Sequence, residues 1–301
     1  MTNLSDMHAE MVRQISEDRN REMAELMAEK RAAARAADER EKSTVKQLAA
    51  AGFDPAKVAG VDAEFAAQAK KELEEIEARM NAQSQEARYS AEIDTRTAML
   101  TTDATMLTPA WVGAFSDDAS DDPLTEASDI SSQLVIGGGA CKDYYNWASG
   151  AGSGLAGTGV GKIQSWIDFG FWFKPTQSRF YSIRPLFRFR GYYIVRADDG
   201  IFTSKFARVT VSAWTNVHQY NWKGWNHVDV LNVGDDNINV NKRFDTDRTT
   251  YNSYLLGAND WAYIRCTIGL WAYARGSGSY AKNDFATGNA NYLCVPQVHV
   301  I

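Results

Sequence analysis

The stretch His218-Gln-Tyr-Asn-Trp-Lys-Gly-Trp-Asn-His227 carries the residue types best suited to ligand chemistry in this chain. Tyr220, Trp222 and Trp225 offer flat ring faces, and Gln219, Asn221 and Asn226 offer amides. Rings match the C–H-rich face of a pyranose and amides pair with its hydroxyls, so the set suits a bound sugar. The same rings also suit packing at the end of a β-domain or at a subunit contact, because aromatic side chains carry a large apolar payload with a polar edge. His218 and His227 have no cysteine or carboxylate cluster beside them and do not form a metal-ligand pattern.

Other candidate chemistry is weaker. The run Ser116 to Pro123 places Asp117, Asp118, Asp121 and Asp122 on one acidic loop. Hard cations want several carboxylate oxygens on a flexible loop, but no calcium-loop pattern is met, and a solvated loop is the expectation. Asp235, Asn237 and Asn239 match the start of a calcium loop, yet Val240 stands where glycine is required and Thr246 where glutamate is required; a turn is expected. Gly152-Ser-Gly-Leu-Ala-Gly157 fits G-x-G-x-x-G but precedes a strand-like segment instead of a helix. Gly161-Lys162 lacks the Ser/Thr of a P-loop, since Ile163 follows. Both read as a flexible glycine loop. Arg184, Arg188 and Arg190 repeat along one strand face and call for counter-anions, with Asp168 or an acidic partner surface as candidates. Cys141, Cys266 and Cys294 are an odd, sparse set that indicates neither a zinc site nor a disulfide framework. There is no G-x-S-x-G, and Glu126 is the sole glutamate after residue 105, so the paired carboxylates of a glycosidase are not evident. No enzymatic activity and no cofactor are expected.

These residues must be positioned by two unlike halves. All nine tryptophans lie at or after Trp111, and before it only Phe53, Phe65 and Tyr89 are aromatic. Residues 1–105 carry 21 Asp+Glu against 15 Lys+Arg, whereas the remainder carries 17 of each. Neither half is a basic footprint for nucleic acid. No segment approaches the roughly 20 apolar residues of a membrane span. The N-terminus lacks the basic start and apolar run of a signal peptide, so synthesis in the cytoplasm and no cleaved leader are expected.

Residues 5 to about 51 lack Pro and Gly and are rich in Ala, Glu, Arg, Lys and Met, which predicts one or two helices capped by Ser5 or Asp6. Gly52 ends them; Asp54 and Pro55 restart, and Asp62 is expected to cap a further long helix. Ala66, Ala69, Leu73, Ile76 and Met80 follow the spacing of a short coiled-coil seam, or of an ordinary amphipathic helix in a hairpin. Further on, Ala262, Ile264, Cys266, Ile268, Leu270 and Ala272 alternate with Trp261, Tyr263, Arg265, Thr267, Trp271 and Tyr273. Neither face suits water, so this strand is expected near the middle of a sheet covered on both sides. Strands follow it and precede it without helices between them, and the terminal Val298-His-Val-Ile301 is expected inside the sheet. The predicted class is segregated α+β: N-terminal long helices, as a hairpin or short coiled coil, then an all-β, jelly-roll-like antiparallel sandwich. The expected division is a helical stalk over 1–105, a Gly/Asp-rich junction over 106–162 and a β-sandwich head over 163–301.

In layout the whole chain resembles phage fibre and virion-appendage proteins, where N-terminal helices attach to a particle and a C-terminal jelly roll, often trimeric, meets the host. The resemblance implies a structural appendage that assembles in the cytoplasm, with itself as partner in a homotrimer, other particle proteins bound by the helices, and host-surface glycan met by the head. Leu73, Ile76 and Met80, together with the aromatic face Trp261, Tyr263, Trp271 and Tyr273, are the expected surfaces where chains meet, since interfaces favour Tyr and Trp. The alternative is a carbohydrate-binding, lectin-like protein with a helical oligomerisation stalk.

Overall fold

The computed structural model describes residues 3–86, 104–117, 141–150, 160–197, 205–276, 278–287 and 290–301. Two helices come first, α1 (Leu4–Ala50) and α2 (Pro55–Glu86). The strands are β1 (Thr105–Leu107), β2 (Trp111–Ser116), β3 (Cys141–Lys142), β4 (Tyr144–Ser149), β5 (Val160–Phe173), β6 (Arg179–Ala197) and β7 (Phe206–Gln219). They continue with β8 (Asn221–Asp235), β9 (Ile238–Thr249), β10 (Asn252–Leu256), β11 (Ala262–Arg275), β12 (Tyr280–Phe285), β13 (Tyr292–Cys294) and β14 (Val298–Val300).

The helices form where propensity favours them. Asn3, and not Ser5 or Asp6, caps α1 by accepting from the Ser5 amide at 3.3 Å. Gly52 closes the helix in the left-handed region, φ 85°, where a Cβ is penalised. Asp54 caps α2 through the Ala56 amide at 3.0 Å. Helix α2 then runs unbroken through Gly60, so Asp62 starts no new helix.

The strands build two antiparallel sheets. One runs β2-β5-β11-β7-β8, and β11 is its central strand, as the alternation of residues 261–274 requires. The other is organised on the long β6, flanked by β9 and β10 on one side and by β12, β13 and β14 on the other, with β1, β3 and β4 beyond. The main core lies between the sheets, where Phe169, Phe171, Ile264, Ile268, Phe187 and Phe189 are fully buried. Cys266 belongs to this core. The segment 292–301 is inside the sheet as expected, but divided in two around Pro296, which has no amide to donate to a ladder.

The helices do not pair with each other in a seam. They cover opposite outer faces of the β-body. Met11, Ile15 and Met23 of α1 are buried against Trp111, Phe115, Trp166 and Tyr263 of the β11-centred sheet. Ile76 and Met80 of α2 are buried against Tyr192, Ile194 and Tyr280 of the β6-centred sheet, with Leu73 half-buried beside them. The stripe read as a seam between chains is therefore filled by this chain's own sheet, because an apolar helix face takes the nearest apolar cover. The same holds for Tyr263, fully buried beneath α1, whereas Trp261, Trp271 and Tyr273 stay half-buried. Two glycines flatten the seat of α1: a Cβ on Gly170 would overlap the Tyr263 ring, and one on Gly269 the Trp214 ring.

Polar contacts fix both helices. Arg19 of α1, buried between Trp166 and Trp214, forks onto Asp168 with bonds of 2.9 and 3.1 Å. Arg265 forks onto the same carboxylate at 3.0 and 2.8 Å, and Thr267 donates to it. Asp168 is thus the anion for α1 and not for the Arg184, Arg188 and Arg190 row. Within that row Arg188 and Arg190 pair with Asp247 on β9, at 3.6 and 2.7 Å. On the opposite face, Glu72 pairs with Arg196 at 2.5 Å, and Glu77 holds Lys282 and the Tyr280 hydroxyl at 2.9 Å each. Among the described residues no helix is long and apolar enough to cross a membrane.

A disulfide joins Cys141 and Cys294 across the β3–β13 pair, against the expectation that the cysteines form no such framework. The partners are 153 residues apart in sequence, so spacing carried no signal; only the strand pairing brings them together. Breaking a native disulfide costs typically about 2–5 kcal/mol. The expected result is a clearly lower urea midpoint in dithiothreitol than without it. Coincident midpoints would show that the bond adds nothing.

Candidate functional site

Three turns gather at one end of the β-body. They are the β5–β6 turn (174–178), the β7–β8 turn at Tyr220 and the β10–β11 turn (257–261). Antiparallel strands deliver successive turns to the same end, which is where β-sandwiches carry their binding loops. The turns are tied to each other. The Asn259 amide donates to the Pro175 carbonyl at 2.8 Å, and the Ala258 amide donates to Ser178 Oγ at 2.9 Å. Buried Gln219 does most of the joining. Its Nε2 donates to the carbonyls of Gly257 and Asp260 at 3.0 Å each, and its Oε1 accepts from the Gly257 amide at 2.7 Å.

On this frame the aromatic residues take distinct roles. The stretch that begins at His218 turns as a tight hairpin, with His218 opposite Trp222 and Gln219 opposite Asn221. Tyr220 sits at its tip with φ 68° and is 72% exposed, its hydroxyl donating to the Asp260 carboxylate. That hydrogen bond pushes the phenol's pKa up. Gly224, at φ 97°, lets the start of β8 bend. Trp225 follows it, 66% exposed, with the His227 ring set edge-on at 5.8 Å. Trp222 instead turns inward: it is half-buried against the aromatic cluster under α1 and meets His218 edge-on at 5.2 Å. Burial, with Lys223 nearby, lowers the His218 pKa.

Of the five residues expected to bind sugar, Tyr220 and Trp225 present exposed rings, Asn221 lies exposed on the hairpin, and Trp222 packs inward. Asn226 donates to the Tyr251 carbonyl at 2.5 Å, joining β8 to the β9–β10 connection. A third exposed ring, Tyr251, 62% exposed, lies over Arg184 on the outer face of the β6-centred sheet, opposite the face that carries Trp225. Sequence reasoning missed Tyr251 and Asp260. The outward alternation of Tyr251, Ser253 and Leu255 was the available signal for the first; nothing local marks the second.

The acidic loop falls mostly outside the described residues. Asp117 is described and is buried: it pairs with Lys30 of α1 at 3.0 Å and accepts from the Gln164 amide at 2.7 Å. Burial raises its pKa against the pull of Lys30. Its carboxylate therefore anchors a helix, while Asp118, Asp121 and Asp122 fall outside the described residues, as do residues 151–159 of the glycine loop. Among the described residues no group of three or more His, Cys, Asp or Glu is placed to hold a metal ion. Asp235 to Ile238 is a turn between β8 and β9, with Asn237 at φ 54°.

No family model matches the chain, and no curated protein matches it. Among solved structures, one described as "TmCBM61 in complex with beta-1,4-galactotriose" is similar over 61% of this chain and 89% of that one, with a TM-score of 0.16 and 7% identity. So loose a superposition carries no weight for fold or function.

Proposed function

We propose that the turn end of the β-body binds carbohydrate, with a sugar ring laid on Trp225 and with Tyr220 at the tip of the same hairpin. The observation that carries this reading is the exposure of the Tyr220 and Trp225 rings on a hairpin held rigid by Gln219 and Asn226. Exposed apolar surface on a rigid frame is where a stacking partner gains most, because little ordering cost remains to be met on binding. No catalytic group enters this reading. The chain passes repeatedly between the two sheets, β4 to β5 to β6 to β7 and β10 to β11 to β12, which supports a jelly-roll-type sandwich.

The test is glycan binding by the intact protein, on an array and then by calorimetry. Trp225→Ala is expected to weaken binding by at least about tenfold, worth about 1.4 kcal/mol, with an unchanged thermal midpoint because the ring is exposed. Full retention of binding by Trp225→Ala, or no glycan bound by the native protein, would overturn the reading.

The second reading is attachment to a particle as a structural appendage. The observation favouring it is the arm formed by residues 31–50 of α1, the connection 51–54 and the first turns of α2, whose described side chains are mostly exposed, Phe53 and Val61 among them. A helical arm without cover of its own suits a second copy or a neighbouring particle protein. The disulfide agrees with display at a surface, since such bonds persist in oxidising surroundings. The molecular mass of the intact protein in solution tests this: three chains support a trimeric appendage, and a monomer counts against it.

A further inference from the structure

The outer face of β8 continues past Trp225, and what it carries deepens the carbohydrate reading, on which this inference rests. Trp225, His227 and Asp229 follow one another at every second position of β8. They stand opposite Asn216, Trp214 and Ser212 of β7, with no shift of register between them. Side chains two apart on a strand share one face, and all three of these are exposed.

Contacts hold the row in place. The His227 ring is edge-on to Trp225 at 5.8 Å and tilted against Trp214 at 6.2 Å. Its Nε2 lies 3.3 Å from Asp229 Oδ1, and Ser212 Oγ donates to the same oxygen at 3.4 Å. The second oxygen of this exposed carboxylate, Oδ2, has no partner among the described residues. Beside Trp225, Asn216 Oδ1 accepts from the Val217 amide at 2.8 Å, which leaves the Asn216 amino group as a donor. Arg19 of α1 lies over the Trp214 ring at 6.0 Å, so the helix borders the row on one side. On the other side β8 is the last strand of its sheet among the described residues.

We propose that this row takes a chain of linked neutral sugars laid along β8, and not a single sugar: one unit stacks on Trp225 and a neighbouring unit gives a hydroxyl to Asp229. From Trp225 to Asp229 the strand advances about 13 Å, at roughly 3.3 Å per residue, which is longer than one pyranose ring. A carboxylate with a free oxygen accepts hydroxyl protons in strong, charge-assisted bonds. It repels acidic substituents by the same charge, so the unit at Asp229 bears hydroxyls. His227 touches both ends of the row and acts as a positioning residue.

The experiment titrates the intact, isotope-labelled protein with gluco-, xylo-, manno- and galacto-oligosaccharides, from the monosaccharide to the tetrasaccharide, and follows the tryptophan indole N–H signals by NMR. In a series that binds, the trisaccharide is expected to bind about tenfold more tightly than the monosaccharide, the size of one hydrogen bond to a charged acceptor. Asp229→Ala is expected to bring the trisaccharide down to the monosaccharide's affinity with the thermal midpoint unchanged, and Asp229→Asn to keep part of the gain. Oligogalacturonates, as the acidic series, are expected to gain nothing with length. Equal affinity for one and three units, or a gain that survives Asp229→Ala, overturns the chain reading while stacking on Trp225 stands. A gain among the galacturonates as large as in a neutral series overturns the neutral assignment. Failure of every series to bind overturns the carbohydrate reading itself.

Discussion

Asp168→Ala is expected to cost about 3–5 kcal/mol, the usual consequence of removing one partner from a buried ionic cluster. The carboxylate is wholly buried and answers two guanidiniums, Arg19 from α1 and Arg265 from β11. Without it, two cations and the Thr267 hydroxyl lose their acceptor beneath a helix. Arg19→Met is expected to cost less, because Arg265 and Thr267 continue to satisfy Asp168. Urea midpoints give the order, and trypsin cleavage near Arg19 and Arg21 reports whether α1 has left the sheet. A loss below about 1 kcal/mol for Asp168→Ala would mean that the buried ion cluster contributes little to holding α1.

The same carboxylate sets a pH dependence. Burial by itself raises its pKa, but Arg19 and Arg265 more than reverse that and hold it well below the usual carboxylate range. A depressed folded pKa means that the unfolded chain binds the proton first. The stabilisation is therefore fully present above the unfolded value of about 4 and is lost as pH falls from there toward the folded value. In Asp168→Ala this part of the acid-induced loss disappears, leaving a flatter stability curve below about pH 4.

Removing Val298 to Ile301 is expected to prevent folding. Strand β14 lies between β1 and β6, so its loss opens a gap within the sheet and not at its edge. Val298 and Val300 belong to the main core, and burial of each contributes roughly 1.5–3 kcal/mol. Ile301 and Ser182 also exchange backbone bonds at 3.0 and 2.9 Å, and the ladder of β6 would face unpaired groups along this span. Together these losses approach the whole stability of a typical domain. The expected observation is insoluble protein, or a chain without a cooperative thermal transition; a soluble truncation with a normal transition would contradict this placement.

Several parts of the fold were legible because local pattern and final environment agree. Strand β11 could be recognised as central because both its alternating faces avoid water, and the structure buries the aliphatic face wholly and the aromatic face in part, between two neighbouring strands. The elements that escaped reading are those whose polar residues are buried. Strand β12 reads as Tyr-Ala-Lys-Asn-Asp-Phe, yet all six residues are buried. Lys282 is accommodated by Glu77 of α2, Asn283 by Asn146 of β4, and Asp284 by Tyr192 and Lys282. Strand β9, charged along much of its length, was missed for a similar reason, its row of ions being matched across to β6. Arg19 sits within a run that reads as polar on every side, Glu17 to Glu22, yet it is the buried centre of the α1 contact, because its partner lies 149 residues further on. The candidate site was half visible: ring-rich composition pointed to the hairpin, but which rings turn outward depended on the bend at Gly224 and the cover supplied by α1.

From residue order alone came the division of the chain into an alanine-rich helical part and a ring-rich β part, the identity of the central strand and the burial of the last one. These follow from propensity and periodicity, which act between near neighbours. Left to the tertiary structure were the seat of each helix, the pairing of Cys141 with Cys294, the partners of Arg19 and Lys282, and the outward turn of Tyr220, Trp225 and Tyr251. Burying a charge or a thiol pair is tolerable only when a specific partner is in reach, and reach across more than a hundred residues is a property of the folded arrangement.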